Sequence, residues 1–359
     1  MSKTVRKKQV KLWINIITLV ALVLLVFISW DQIKEALTNL TTLNLWVLLL
    51  MMPTQLIGYY ALARLYRDFF VAHGQKISLR EMYKVTLELN FVNHVFPSGG
   101  VSGFSYLSLR LKPLGVPIYR STLAQILRFA LTFLSFIIIL VVGMIALSLG
   151  KNTSPFVVLV SSTIIFATIT GSAIGIFIIS KPRRIRAFVS WLPKFLNYIS
   201  RFIRRNKDIV DMRKVESTLE DLHKDYMLLS KDTGLIKRLL SWALIVNITE
   251  VLTIYFVYIA FGTWINPGAL IIAYAVANFA GLIAVLPGGV GIYEGLMTAV
   301  LASAGVNKAL ALSATVIYRI LTMAVFLPIG YYFYSKAISQ TTELNIRKAN
   351  KNATSANTK

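Results

Sequence analysis

Five ionisable side chains stand where the surrounding sequence is apolar: Glu88, Arg128, Glu250, Glu294 and Arg319. At the centre of a membrane helix each costs about 2.5–3.5 kcal/mol unless it finds a partner or water, so such residues mark either buried ion pairs or a polar pathway. A guanidinium matches phosphate through a planar fork of donors that an ammonium lacks. The set therefore suits an anion such as a phosphate held by Arg128 and Arg319, with Glu88, Glu250 and Glu294 balancing the charge. The alternative is packing alone, with Arg128 paired to Glu88 and Arg319 to Glu294 or Glu250. His94 reads first as a satisfied polar residue and only second as a proton carrier.

These charges lie close to two breaks in apolar sequence, NHVFPSGGVSG at 93–103 and NFAGLIAVLPGGVGIYE at 278–294. Lipid cannot satisfy the N–H and C=O groups of irregular backbone, so such a break persists only where protein or a water-lined cavity surrounds it. Asn93 and Pro97 would form one hairpin tip, Asn278 and Pro287 the other. Gly99, Gly100, Gly288, Gly289 and Gly291 would allow close approach of a headgroup to backbone donors at helix N-termini.

The two breaks share a register. With Pro97 laid on Pro287, Gly115-Val116 falls on Gly305-Val306, and Arg128 comes within one residue of Arg319. Glu88 and Asn278 both stand nine residues before their prolines. Four agreements in register point to an internal duplication, and paired Gly/Pro-interrupted segments in two halves point to a transporter's binding site.

A hydrophobic content of 56%, a charged content of 15% and a mean hydropathy of +0.66 place the 359 residues in a bilayer. The net charge of +23 would suit nucleic acid if it were gathered on one domain, but it flanks the apolar runs, so no nucleic-acid partner is expected. The chain has no cysteine, no HExxH and no P-loop, so neither a metal site nor a cofactor is expected.

The expected fold is an all-α polytopic membrane protein, with six transmembrane helices and two re-entrant broken-helix hairpins related as an inverted repeat. Spans are expected at 12–30, 45–63, 121–149, 155–180, 239–261 and 311–335. A basic N-terminus, 1–11, precedes a first membrane half, 12–180, that contains the hairpin 85–109. A basic cytoplasmic or interfacial helical linker, 181–238, leads to a second half, 239–335, with the hairpin 267–304. The polar tail, 336–359, reads as disordered. On this arrangement thirty-three basic residues are cytoplasmic and Lys34, Lys151 and Lys308 are external, which puts both termini inside a multi-pass protein of the cell (plasma) membrane.

NHVFPSGG followed by LGVP, LPGGVGIYE, and IYR at 317–319 resemble the transmembrane region of lysylphosphatidylglycerol synthase, also called the flippase-like or UPF0104 family. The resemblance covers about residues 12–335. It implies translocation of an anionic or aminoacylated phospholipid, or of a polyprenol-linked lipid, between leaflets. It also leaves room for a phosphatidylglycerol lysyltransferase-type component acting with a separate transferase subunit, or for a regulatory membrane scaffold. Many members carry Arg and Glu where this chain has Gly99 and Ser102. With no motif for a catalytic centre, the chain reads as a lipid-binding transporter and not an enzyme, one that could also oligomerise.

Overall fold

The computed structural model describes residues 43–96, 101–148, 232–281 and 291–356, with isolated positions elsewhere. Among these residues the secondary structure is all helical, with no strand. Helix α1, Leu45–Leu49, passes through Leu50 into α2, Met51–Ala72. Then come α3, Leu79–Val95, and α4, Val101–Leu111, and a 3-10 turn at Lys112–Leu114 leads to α5, Ile118–Ser148. The order repeats with α6, Thr233–Ala260, α7, Pro267–Gly281, α8, Ile292–Ser303, and α9, Lys308–Ala356. Each half is a long helix, two short ones and a long one.

Local chemistry sets the ends. Asn44 accepts hydrogen bonds from the N–H groups of Trp46 and Val47, Ser78 from Glu81, Asp232 from Leu235, and Asn307 from Ala309 and Leu310. Each satisfies donors that a helix start leaves unpaired. The second short helix of each half ends at the aligned Gly-Val pair. Gly115 has φ +81° and Gly305 φ +89°, and the N–H of the next valine donates back to the carbonyl of Leu111 (3.3 Å) or Leu301 (3.0 Å). The same left-handed cap closes both helices, so the register read from sequence corresponds to one repeated piece of backbone.

Four helical stretches are long and apolar enough to cross a membrane: Leu45–Ala72, Ile118–Ala146, Thr233–Ala260 and Lys308–Ser339. The predicted spans at 12–30 and 155–180 and most of the linker at 181–238 lie outside the described residues apart from isolated positions, whereas the last residues of that linker, 232–238, form the capped start of α6. Pro97, Gly99, Gly100, Pro287, Gly288 and Gly289 also lie outside the described residues. Helices α4 and α8 rise only ~17–18 Å, too short for a core of ~30 Å. The tail expected to be disordered from 336 instead extends α9 to Ala356. Residues 336–356 contain neither Gly nor Pro to stop a helix, and Glu343 and Arg347 stand one turn apart.

Packing crosses between the halves. α2 lies against α6, while α3 packs on α9 and α7 packs on α5, each short helix against the long helix of the other half. Large apolar side chains such as Ile57, Val142, Ile145 and Leu252 remain exposed, as a surface facing lipid requires. The crossing contacts depend on close backbone approach. A Cβ on Gly330 of α9 would stand 2.6 Å from the Leu87 carbonyl oxygen and 2.8 Å from Phe91 Cβ on α3. A Cβ on Gly143 of α5 would meet Ile271 Cγ2 of α7 at 2.9 Å. Gly330→Ala should therefore cost about 1–3 kcal/mol, since a helix carbonyl cannot step aside. Gly143→Ala should cost less, because a side-chain methyl can rotate. Thermal unfolding of both variants in detergent reads the difference, and equal losses would reject this account of the crossing.

Candidate functional site

Six helices turn polar side chains toward one space. α3 supplies Asn90, Asn93 and His94, at the one-turn spacing that keeps them on one face. α5 supplies Arg128 and Thr132, α6 Asn247 and Glu250, α7 Tyr274 and Asn278, α8 Tyr293, and α9 Tyr318, Arg319 and Thr322. They line a cavity of about 380 Å³. A second cavity of about 220 Å³ shares Asn90, Asn93, His94, Arg128 and Glu250 and extends to Gln55, Tyr59 and Tyr66 of α2. Arg128 and Arg319, from different halves of the chain, thus face the same space.

The two arginines are held differently. Arg319 is 7% exposed and its Nη1 donates to Oε1 of Glu294, itself 3% exposed. The other oxygen of Glu294 accepts the N–H of Gly291 at 2.7 Å, which caps α8 at its first turn. Gly291 has φ +89°, a conformation that residues with a side chain rarely adopt. The Arg319 guanidinium also lies 5.0 Å from the centre of the Tyr293 ring. Arg128 has no carboxylate within 4.0 Å among the described residues. It lies over the Phe129 ring at 5.0 Å and beside Tyr66, whose hydroxyl donates to Gln125 at 2.6 Å.

Glu250 accepts hydrogen bonds from the Tyr318 hydroxyl at 2.6 Å and the Gln55 amide at 3.1 Å. Among the described residues no cation stands within 4.0 Å of it. Among the described residues the cavity therefore displays a guanidinium and a carboxylate, each without an oppositely charged group within 4.0 Å, as separate features. Asn93 Oδ1 is buried with no hydrogen-bond donor and packs against Gly103 of α4, where a Cβ would meet it at 2.5 Å. His94 Nδ1 lies 2.9 Å from the Asn90 carbonyl oxygen, so Nδ1 carries the hydrogen and Nε2 is left as the acceptor. Asn278 donates to the Tyr274 carbonyl at 2.8 Å.

Glu88 does not pair with Arg128 and does not line either cavity. Its carboxylate accepts from Arg110 Nε and from the Tyr106 hydroxyl, both at 2.8 Å, and Arg110 also pairs with Glu81. α4 folds back on α3 and brings Arg110 to Glu88 before any residue of α5 can reach it. Arg110 stands immediately after the hairpin expected at 85–109, and nothing in its spacing marks it as the partner of Glu88. Tyr274, Tyr293 and Tyr318 were missed because an aromatic residue in an apolar helix gives no sign of which way its hydroxyl points. Gln55 and Asn247 were legible as lone amides in apolar runs. Among the described residues, no three His, Asp or Glu side chains gather as a metal-ligand set.

Residues 13–330 match the family described as the lysylphosphatidylglycerol synthase TM region. Two relatives, both described as UPF0104 membrane proteins of Methanothermobacter thermautotrophicus, show local similarity. One is 27% identical over 135 residues, 38% of this chain and 40% of the relative. The other is 35% identical over 97 residues, 27% of this chain and 28% of the relative. The chain thus aligns with less than half the length of either.

The Glu294–Arg319 pair yields a stability cycle. Arg319→Gln strands a buried carboxylate and should cost about 3–5 kcal/mol. Combining it with Glu294→Gln should recover most of that loss, short only of about 0.5–2 kcal/mol for the weakened cap on α8. Unfolding temperatures of the three variants in detergent provide the check, and a double variant no more stable than Arg319→Gln alone would refute the pairing.

Proposed function

The chain belongs to the family of the lysylphosphatidylglycerol synthase transmembrane region, and on that footing we propose that it carries a phosphate-bearing lipid headgroup across the membrane through its central cavity. The observation that carries this reading is Arg128, a guanidinium that has no carboxylate partner among the described residues and faces the same cavity as Arg319. Phosphate would take the fork of Arg128, with Arg319, which Glu294 holds in place, adding its charge to the same cavity. Where the headgroup also bears an amine, as in an aminoacylated phospholipid, Glu250 is the carboxylate on the cavity wall that meets it. A polyprenol-linked phosphate would use the arginines alone. At about 380 Å³ the cavity lies in the lower part of the range of about 300–1,000 Å³ usual for ligand sites, which suits a headgroup with its chains left in lipid. The reading assigns the chain binding and transport and no group-transfer chemistry, with any transferase a separate subunit.

The transport course rests on an inverted repeat. Six spans and two re-entrant hairpins, α3–α4 and α7–α8, would put the N-termini of α4 and α8 near the bilayer midplane, with their dipoles and free N–H groups toward an anion. The repeated element order, the shared Gly-Val cap and the crossed packing support it, as does the skew of basic residues that assigns both termini to the cytoplasm of the cell membrane. Arg205→Cys should resist an impermeant thiol reagent in intact cells while Lys308→Cys is labelled. The reverse pattern would overturn the orientation.

Arg128 gives the functional test. Arg128→Lys keeps the charge and loses the fork, a contact worth about 1.5–3 kcal/mol, so headgroup translocation in reconstituted vesicles should slow about 10- to 100-fold. The unfolding temperature should stay as it is, because no ion pair is broken. Undiminished translocation would refute phosphate binding at Arg128.

A further inference from the structure

A second charged cluster lies where α2 nears its C-terminal end and α6 begins, away from the central cavity. Asp68, 6% exposed, is ringed by three arginines: Arg64 Nε at 3.9 Å, Arg67 Nη1 at 3.6 Å and Arg238 Nε at 3.5 Å. Trp242 donates its indole N–H to the same carboxylate at 3.1 Å. One carboxylate against three guanidinia leaves an excess of two positive charges.

The ring is loose for a structural ion pair. A charge-assisted N–H···O bond closes to about 2.7–2.9 Å, and none of the three arginines comes that near. Nε of Arg64 and Nε of Arg67 are buried with no hydrogen-bond partner. Those two atoms are out of reach of a surface ligand, while the Arg64 and Arg67 side chains that carry them are 29% and 33% exposed. The ring's setting suits headgroup height. The Arg64 guanidinium lies 5.1 Å from the Trp242 ring, Trp242 meets Tyr60 edge-on at 6.2 Å, and the Arg238 side chain is 56% exposed. Apolar side chains of the same two helices, Ile57 on α2 and Leu252 on α6, are left uncovered as on a lipid-facing surface. Arginine, Trp and Tyr above an apolar face form the pattern of a membrane–water interface.

We propose that Arg64, Arg67 and Arg238 form a surface site for the phosphate of an anionic phospholipid, distinct from the central cavity. Asp68 is the internal counter-charge that keeps the guanidinia together when the site is empty, and it competes with the phosphate when the lipid arrives. Trp242 and Tyr60 take the glycerol end of the chains. The site needs only that the protein resides in a bilayer and does not depend on translocation.

Native mass spectrometry of the purified full-length protein, titrated with phosphatidylglycerol or with phosphatidylcholine, tests the site. The Arg67→Gln, Arg238→Gln double variant should retain phosphatidylglycerol about 25-fold less well, about fivefold for each basic residue removed. Asp68→Asn should retain it about fivefold better, since the competing charge is gone. Phosphatidylcholine, whose choline cation offsets the charge of its phosphate, should change less than phosphatidylglycerol in both variants. A purely structural cluster would weaken or stay unchanged on Asp68→Asn, and either result overturns the proposal. Should the double variant fail to fold, the sign of the Asp68→Asn effect still decides. Displacement of the lipid by millimolar inorganic phosphate would assign the ring to a free anion and overturn the lipid site.

Discussion

The carboxylate of Glu294 fixes the second half of the molecule. One oxygen takes the N–H of Gly291 and sets where α8 begins, and the other takes the guanidinium of Arg319 on α9. Two buried ions are expensive to bring out of water, and the expense is recovered only when each finds charge and hydrogen bonds together. Meeting that condition ties the N-terminus of α8 to one level of α9 and holds Arg319 at the cavity wall. The first half meets the same condition elsewhere. There the lock joins the two short helices, Glu88 and Glu81 of α3 to Arg110 of α4, and leaves the long helix α5 out of it. Among the described residues Arg128 thereby has no carboxylate partner, and the two arginines differ in character, Arg319 anchored by Glu294 and Arg128 held against aromatic rings.

Much of this frame was legible in the chain. The aligned Gly-Val pairs read as a duplication and fold as the same cap, because a left-handed residue followed by a back-bonded valine is a short-range device that sequence spells out. The ionisable residues stood out for the same reason that they face inward, since lipid leaves them nowhere else to go. What sequence could not supply was partner choice. Glu88 lies nearer in register to Arg128 than in space, and only the fold-back of α4 shows that Arg110 reaches it first. The helical course of 336–356 was also missed, because a polar composition speaks to burial and says nothing of a backbone with no breaker in it.

The central cavity mixes opposite charges without letting them neutralise one another. Glu250 is satisfied by a phenol and an amide, while Arg128 lies against aromatic rings. Hydrogen bonds to neutral groups keep a carboxylate in position without consuming its charge, and a ring face does the same for a guanidinium. Both side chains are thus held on the cavity wall by neutral partners, with no counter-charge within 4.0 Å of either among the described residues.

The crossed packing has a consequence in time. Leu87 and Phe91 of α3 find their partner at Gly330, some 240 residues further along the chain. At about 5–20 residues per second, a ribosome needs ~12–50 s to cover that distance. During that interval α3, with Glu88 among its residues, sits at the membrane without the surface it was shaped for, and α5 likewise waits for α7. The faces of α3 and α5 that these contacts cover therefore stay without their partner surfaces until the second half has been made, so this packing can close only after α9 is in place.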